Sequence, residues 1–333
     1  MGMSAAPPPP PIDTVFSRMM GCDYPIIAAP MFLVSNEAMV AEASNAGGIG
    51  GAPSLNWRTA EGFGQALDAI RAATNRPYAV NLIVNKTNTR MEADLERIVE
   101  RRVPLVITSL GNPKSVIEAV HGYGGKVVCD VTDLAYAQKV QDAGADGVVA
   151  VSAGAGGHAG AISPMVFIPY LREKLDIPII AAGGIATGRQ ILAALALGAD
   201  GVQIGTRFIA STEAAVTQDY KQAILESGPQ DIVMTSRISG TPAAVINTPF
   251  IQKMGLDLPP LEKFLRQYPA TARYAKMLRY LRGSQALENA ANKVTWKTVW
   301  SAGQGVGLIH DIRPTADIIH ALAREYWAAR EAL

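Results

Sequence analysis

The run SAGAGGHAG (152–160) sets a single histidine, His158, among Gly154, Gly156, Gly157 and Gly160. Imidazole titrates near neutrality, so a histidine held in such a loop can take or give a proton at working pH. Two other stretches, AAGGIATG (181–188) and GVQIGTRF (201–208), put Gly183, Gly184, Gly205 and Thr206 directly after apolar runs. Glycine there lets backbone N–H groups approach an anion at the start of a helix, which holds a phosphate without a charged side chain. Arg207 adds either charge to that site or a structural ion pair, and both readings stay open at this point.

These residues need a scaffold, and the chain has a rhythm that supplies one. Short apolar runs occur at 25–31, 47–53, 78–84, 105–110, 126–131, 147–153, 178–184 and 201–206. They are too continuous to alternate, which is the mark of parallel strands buried on both faces. Helix-like stretches lie between them. One begins at Ser35/Asn36 and stops at Gly47, one runs from Thr132/Asp133 to Gly144, and one carries Leu192, Leu195 and Leu197 before Gly198. Eight strand–helix repeats predict an α/β TIM (β/α)8 barrel. A doubly wound sheet is the alternative, but it uses fewer strands and a GxGxxG after the first strand is missing. The predicted barrel covers residues 14–209 and 301–333, with a helical cap, 210–300, inserted after strand eight. Tyr268, Tyr274, Met277 and Tyr280 of that cap read as packing residues. Residues 1–13, with Pro7 to Pro11, read as a disordered Pro-rich tail outside the fold.

Active sites of such barrels lie at the C-terminal ends of the strands. Those ends carry Pro30-Met31, Gly50-Gly51, Asn81, Asp130 with Thr132, the His158 loop, Gly183-Gly184 and Gly205-Thr206. So many small residues leave room for something flat and phosphorylated.

Composition removes several function classes. Basic residues number 30 and acidic residues 29, a formal charge of +1, so neither nucleic acid nor a membrane surface is an expected partner. Cys22 and Cys129 make neither a disulfide framework nor a zinc pattern, which predicts a reducing, cytoplasmic setting and no metal. Cys129 reads as a small core residue, His121 as the solvent-facing end of a helix, and His310 and His320 as lying near or on the last helix. HExxH, CxxC, GxSxG and Walker patterns are missing.

The blocks APM (29–31), SNAGGIG (44–50), VNL (80–82), AGGHAG (155–160), AAGGIATGRQILAALALGADGVQIGTRF (181–208) and SAGQGVGLI (301–309) resemble the nitronate monooxygenase family. That group of FMN-dependent barrels also holds FMN-dependent enoyl-acyl-carrier-protein reductases and NADH:quinone reductases. The resemblance implies noncovalent FMN with its phosphate on Gly183, Gly184, Gly205 and Thr206. It implies a ring across the mouth against Ala29, Pro30 and Met31, with Asn81 at its polar edge and Gln304 facing phosphate or ring. Gly156 and Gly157 would bring the loop close to the ring, and His158 would lie over its face as base or substrate-orienting group. Asp130 stands where some relatives have a lysine or an apolar residue, and a charged Asp130 near the flavin would oppose an anionic reduced state.

Three functions are thereby set side by side. The first is oxidation of alkyl nitronates with molecular oxygen. The second is reduction of enoyl thioesters or quinones, with NAD(P)H as electron donor. The third is a flavin-free barrel binding a phosphorylated metabolite, although no lysine suited to a Schiff base stands near a strand end. A homodimer is an open expectation.

Overall fold

Eight short apolar runs become eight parallel strands, and the last closes on the first. The computed structural model describes residues 7–85, 87–237, 241–256 and 299–333. Its strands are β1 (Ile26–Ala28), β2 (Ile49–Pro53), β3 (Ala79–Ile83), β4 (Leu105–Ser109), β5 (Lys126–Val131), β6 (Gly147–Val151), β7 (Ile179–Ala182) and β8 (Gly201–Ile204). Ile27 of β1 pairs with Ile49 of β2 on one side and with Gln203 of β8 on the other, so the barrel is closed. The eight-strand barrel expected from the sequence is therefore the fold.

Closure buries both faces of every strand, which is why the runs are continuous. Ile27, Ile49, Leu105, Ile107, Val128, Val149 and Ile180 fill the interior. Val80, Leu82, Val106, Val127 and Val148 face the surrounding helices. Side chains alternate along a strand, so the next inward positions above Ala79, Ile107 and Val128 are Asn81, Ser109 and Asp130. The barrel is apolar in its middle and polar at its C-terminal mouth.

The helices are α1 (Val15–Met20), α2 (Glu37–Asn45), α3 (Ala60–Ala73), α4 (Met91–Glu100), α5 (Lys114–His121), α6 (Leu134–Asp142), α7 (Pro164–Arg172), α8 (Gly188–Ala196), α9 (Thr206–Ile209), α10 (Gln218–Glu226), α11 (Pro249–Met254) and α12 (Thr315–Glu331). The helix starts expected at Asn36 and Asp133 are N-caps, and a further cap stands at Thr187. Asn36 and Asp133 accept from the amides of Met39 and Tyr136, and Thr187 forms a capping box with Gln190. Helix α12 closes the outer ring against α8. A Cβ on Gly188 would lie 2.2 Å from the Tyr326 amide nitrogen, so only glycine allows that approach.

Helix α1 plugs the other end of the barrel with Phe16, which is fully buried against Gly201. Phe16→Ala should lower stability by about 3–5 kcal/mol, seen as a lower urea midpoint with an unchanged slope. A shift under about 1 kcal/mol would mean that the plug is not part of the cooperative core.

Two expectations need correcting. The predicted tail reaches too far, because residues 9–13 are docked. The Tyr24 hydroxyl donates to the Pro9 carbonyl at 2.6 Å, the Trp327 indole N–H donates to the Pro10 carbonyl at 2.8 Å, and Ile12 is 2% exposed. A polyproline segment leaves its carbonyls without internal partners, and two ring donors take them here. The insert, predicted to be helical, also holds an antiparallel hairpin, β9 (Ile232–Thr235) with β10 (Ala243–Ile246). Residues 257–298 of the predicted cap, with Tyr268, Tyr274, Met277 and Tyr280, lie outside the described residues.

Candidate active site

Strand β7 runs into Gly183 and Gly184, with φ of 118° and 71°. Both values fall in the left-handed region that favours glycine. Their surroundings differ. A Cβ on Gly183 would lie 2.9 Å from the Ser152 carbonyl oxygen, whereas one on Gly184 would meet nothing within 4 Å. After β8, a Cβ on Gly205 would find only Met31 Sδ at 3.6 Å and Ala29 Cβ at 3.8 Å as its nearest neighbours. The protein thus leaves Gly184 and Gly205 open toward the mouth. Among the described residues the amides of Gly183, Gly184 and Gly205 have no backbone acceptor.

The surrounding contacts fix this cradle. The Ala29 amide donates to the Ile204 carbonyl at 2.9 Å, and the Met31 amide donates to Ser35 Oγ at 3.0 Å. Pro30, between them, packs its ring over Gly51. The segment at 302–304 returns across the mouth. Its Gly303 amide donates to Thr206 Oγ1 at 2.9 Å, and the Gln304 amide donates to the Gly154 carbonyl at 2.9 Å. Ala29, Pro30, Met31, Gly183, Gly184, Gly205, Thr206 and Gln304 are therefore neighbours, although they come from four parts of the chain.

The glycines around His158 have a structural cause. A Cβ on Gly156 would lie 2.8 Å from the Ala302 carbonyl carbon, and one on Gly303 would lie 2.3 Å from the Gly154 carbonyl oxygen. Two loops cross backbone to backbone, which only glycine permits. Gly157, at φ 67°, exchanges two backbone hydrogen bonds with Ala244 of β10, at 3.0 and 2.7 Å. The hairpin thus pins the histidine loop, a role no local sequence signal announces. Solvent still reaches the His158 ring, but the protein around it removes enough water to push its pKa below the usual 6.5. Its surroundings therefore favour the neutral imidazole.

A second polar set lies at the ends of β3, β4 and β5. Asn81 Nδ2 donates to Ser109 Oγ at 2.7 Å and to the Ile107 carbonyl at 3.1 Å. Ser109 Oγ donates to Asp130 Oδ2 at 2.5 Å. Asp130 Oδ1 is buried with no hydrogen-bond partner, as is Gln203 Oε1 on β8. Burial pushes the Asp130 carboxyl up to about 6, and the Ser109 hydroxyl partly offsets this. Sequence reasoning missed Ser109 and Gln203. The available signal was a polar residue at an inward position near the end of an apolar strand.

That carboxylate has a stability consequence. With its pKa raised in the fold, its stabilising share is complete below the unfolded value near 3.8 and is lost as pH rises through about 6. The shift of about 2 units corresponds to roughly 2–3 kcal/mol. Asp130→Asn should therefore be the more stable protein at pH 8 by about that amount, with the gap closing toward pH 4. Thermal unfolding across that range checks it, and an Asp130→Asn protein that is less stable at pH 8 contradicts it.

Other candidates resolve as structural. Arg207 is 7% exposed and binds Asp311 through Nη2 to Oδ1 at 2.6 Å and Nη1 to the carbonyl at 2.9 Å. It ties the end of β8 to the returning chain. Cys129 is fully buried, accepts from Thr108 Oγ1 at 3.1 Å, and has its thiol pushed up to about 12. His121 is exposed, as expected, and meets Asp146 at 2.7 Å. Phe32, Leu33 and Leu110 are exposed on loops after β1 and β4, and both leucines have φ near 60°. Large side chains seldom hold that conformation, and here it turns apolar groups onto the rim. Among the described residues no cluster of His, Cys, Asp and Glu could hold a metal, and no helix is long and apolar enough to cross a membrane.

A flavin mononucleotide fits what is present. Gly184 and Gly205 leave a cradle that a side chain would fill, and Asp130 Oδ1 and Gln203 Oε1 are buried acceptors without donors. The fold and this mouth define a flavin-dependent oxidoreductase barrel acting on small molecules. The nitronate monooxygenase family model matches residues 13–96 and 87–325, and the chain belongs to that family. A probable nitronate monooxygenase of Staphylococcus saprophyticus is 30% identical over 345 residues, covering 90% of this chain and 93% of the relative. The (3aS,4S,5R,7aS)-5-hydroxy-7a-methyl-1-oxo-octahydro-1H-indene-4-carboxyl-CoA dehydrogenase of Rhodococcus jostii is 26% identical, covering 94% and 95%. The solved structure of FabK from Thermotoga maritima superimposes with a TM-score of 0.82 at 31% identity, covering 96% and 98%.

Proposed function

We propose that this chain oxidises alkyl nitronates with molecular oxygen, using FMN held at the mouth. The observation that carries the reading is the placement of His158: an imidazole on a loop locked by two chain crossings, at the open end of the barrel, whose surroundings favour its neutral form. A neutral imidazole can take the proton from the carbon beside a nitro group, or donate to the nitro oxygens of the anion that results. The amides of Gly183, Gly184 and Gly205, with Thr206, would hold the FMN phosphate at the start of α9 and before α8. Ala29, Pro30, Met31, Gly156, Gly157 and Gln304 would border the ring, with Asn81 and Asp130 on the opposite side of the mouth. FMN, when bound, supplies the electron acceptor that links the nitronate to oxygen. The apolar rim at Phe32, Leu33 and Leu110 suits an alkyl chain.

A second reading is reduction of an enoyl thioester or quinone with NAD(P)H. What supports it is that the Rhodococcus jostii relative is named for redox chemistry on a carboxyl-CoA compound, so a CoA ester can be the substrate of a barrel of this family.

Anaerobic mixing separates the two. FMN-loaded protein is mixed with an alkyl nitronate in one experiment and with NADH or NADPH in another, and flavin absorbance is followed. Fast loss with the nitronate alone is the expected result. Loss only with a nicotinamide moves the assignment to the second reading, and loss with neither rejects both.

A further inference from the structure

The Asn81–Ser109–Asp130 set is directional. Asn81 donates to Ser109, Ser109 donates to Asp130 Oδ2, and among the described residues nothing hydrogen-bonds to the buried Asp130 Oδ1. A buried acceptor without a partner is costly and calls for an explanation. The set lies on β3–β5, across the barrel from the glycines of β7 and β8. A ligand anchored by its phosphate on those glycines therefore reaches toward it.

We propose that Asp130 Oδ1 is a proton-exchange point for the ligand in this mouth: filling the mouth transfers a proton from solvent to the Asp130 carboxyl, whose new O–H donates to a carbonyl or ring-nitrogen acceptor of the ligand. The inference rests on the flavin reading above. Its ligand class is a heteroaromatic ring with acceptor atoms along one edge.

The physical cause is desolvation. A ligand expels the remaining water from above the carboxyl, and further burial disfavours the charged form. The group already titrates at about 6, so a further rise brings it across neutral pH. Ser109 opposes this by hydrogen-bonding to the charged form, and Asn81 holds Ser109 in place. Among the described neighbours, Cys129 and Tyr136 are both pushed up to about 12 and do not titrate in this range. Asp133 caps α6 through the Tyr136 amide. On the β6 side the inward residues Val149 and Val151 are uncharged, and the loop beyond carries His158, whose pKa desolvation lowers. Ligand burial lowers the His158 pKa further, so it can only release a proton, the opposite sign.

The test is calorimetric titration of the apo-protein with riboflavin between pH 5.5 and 8.5, in buffers of differing ionisation enthalpy. Riboflavin is used because a phosphate monoester itself titrates near 6. FMN is the second probe, since its phosphate contribution cancels in the difference between wild type and variant. Wild type should take up close to one proton per ligand near pH 7, with uptake falling on either side. Asp130→Asn should take up none. Ser109→Ala should move the uptake maximum to higher pH, a displacement that a merely space-filling role would not produce. Equal uptake in wild type and Asp130→Asn overturns the proposal. Binding without uptake overturns it and leaves the flavin reading intact. Failure of riboflavin and FMN alike to bind overturns both.

Discussion

His158→Ala will slow turnover of an alkyl nitronate by about a hundredfold or more while the flavin stays bound. The loop around His158 is set by backbone contacts, Gly156 against Ala302 and Gly157 paired with Ala244. These contacts are made by backbone atoms, which the substitution leaves in place. The effect should fall on kcat more than on cofactor affinity. The pH profile gives a second, independent reading. With its pKa below 6.5 in the fold, the imidazole is the active base above that value and is lost by protonation as pH falls. Wild type should show that acid limb and His158→Ala should lack it. A variant with unchanged turnover and an unchanged limb removes His158 from the mechanism.

Gly205→Leu will abolish flavin retention and leave the barrel folded. The position has φ −98° as the N-cap of α9, so a side chain brings no backbone strain, and the nearest protein atoms stand 3.6 Å or more from its Cβ. The added isobutyl group would occupy the space otherwise left for a phosphate. Purified Gly205→Leu should be colourless, with a dissociation constant for FMN raised at least a hundredfold, about 3 kcal/mol. Its melting temperature without flavin should match the wild-type apo-protein. Gly183 is the control. At φ 118° and 2.9 Å from the Ser152 carbonyl, its substitution should destabilise the apo-protein as well. If Gly205→Leu retains flavin at wild-type affinity, the cradle lies elsewhere.

The barrel was legible because burial on both faces forces each strand to be apolar throughout, and that continuity survives in a single sequence. Caps at Asn36 and Asp133 were legible because capping is a contact over three residues. The open glycines at the ends of β7 and β8 could be read for a related reason: each set follows its own strand directly. The hairpin at β9 and β10 escaped because its strands have four residues each, too short for a periodicity to develop. The docking of Pro9 and Pro10 escaped because its donors, Tyr24 and Trp327, sit 15 and 317 residues away.

What the sequence by itself determined is the set of local facts: where strands start, where helices are capped, and which positions carry groups able to hold a phosphate or move a proton. Only the tertiary structure decided how those groups are paired. It gave Arg207 to Asp311, 104 residues on, and so withdrew it from the phosphate site. It joined Asn81 to Ser109 and Ser109 to Asp130 across 28 and 21 residues, and left one buried carboxylate oxygen without a partner among the described residues. It showed that Gly156 is required by a crossing of the chain at Ala302 and Gly303. Such pairings depend on strand register and on loops meeting from opposite ends of the chain, and neither is written in the spacing of neighbouring residues.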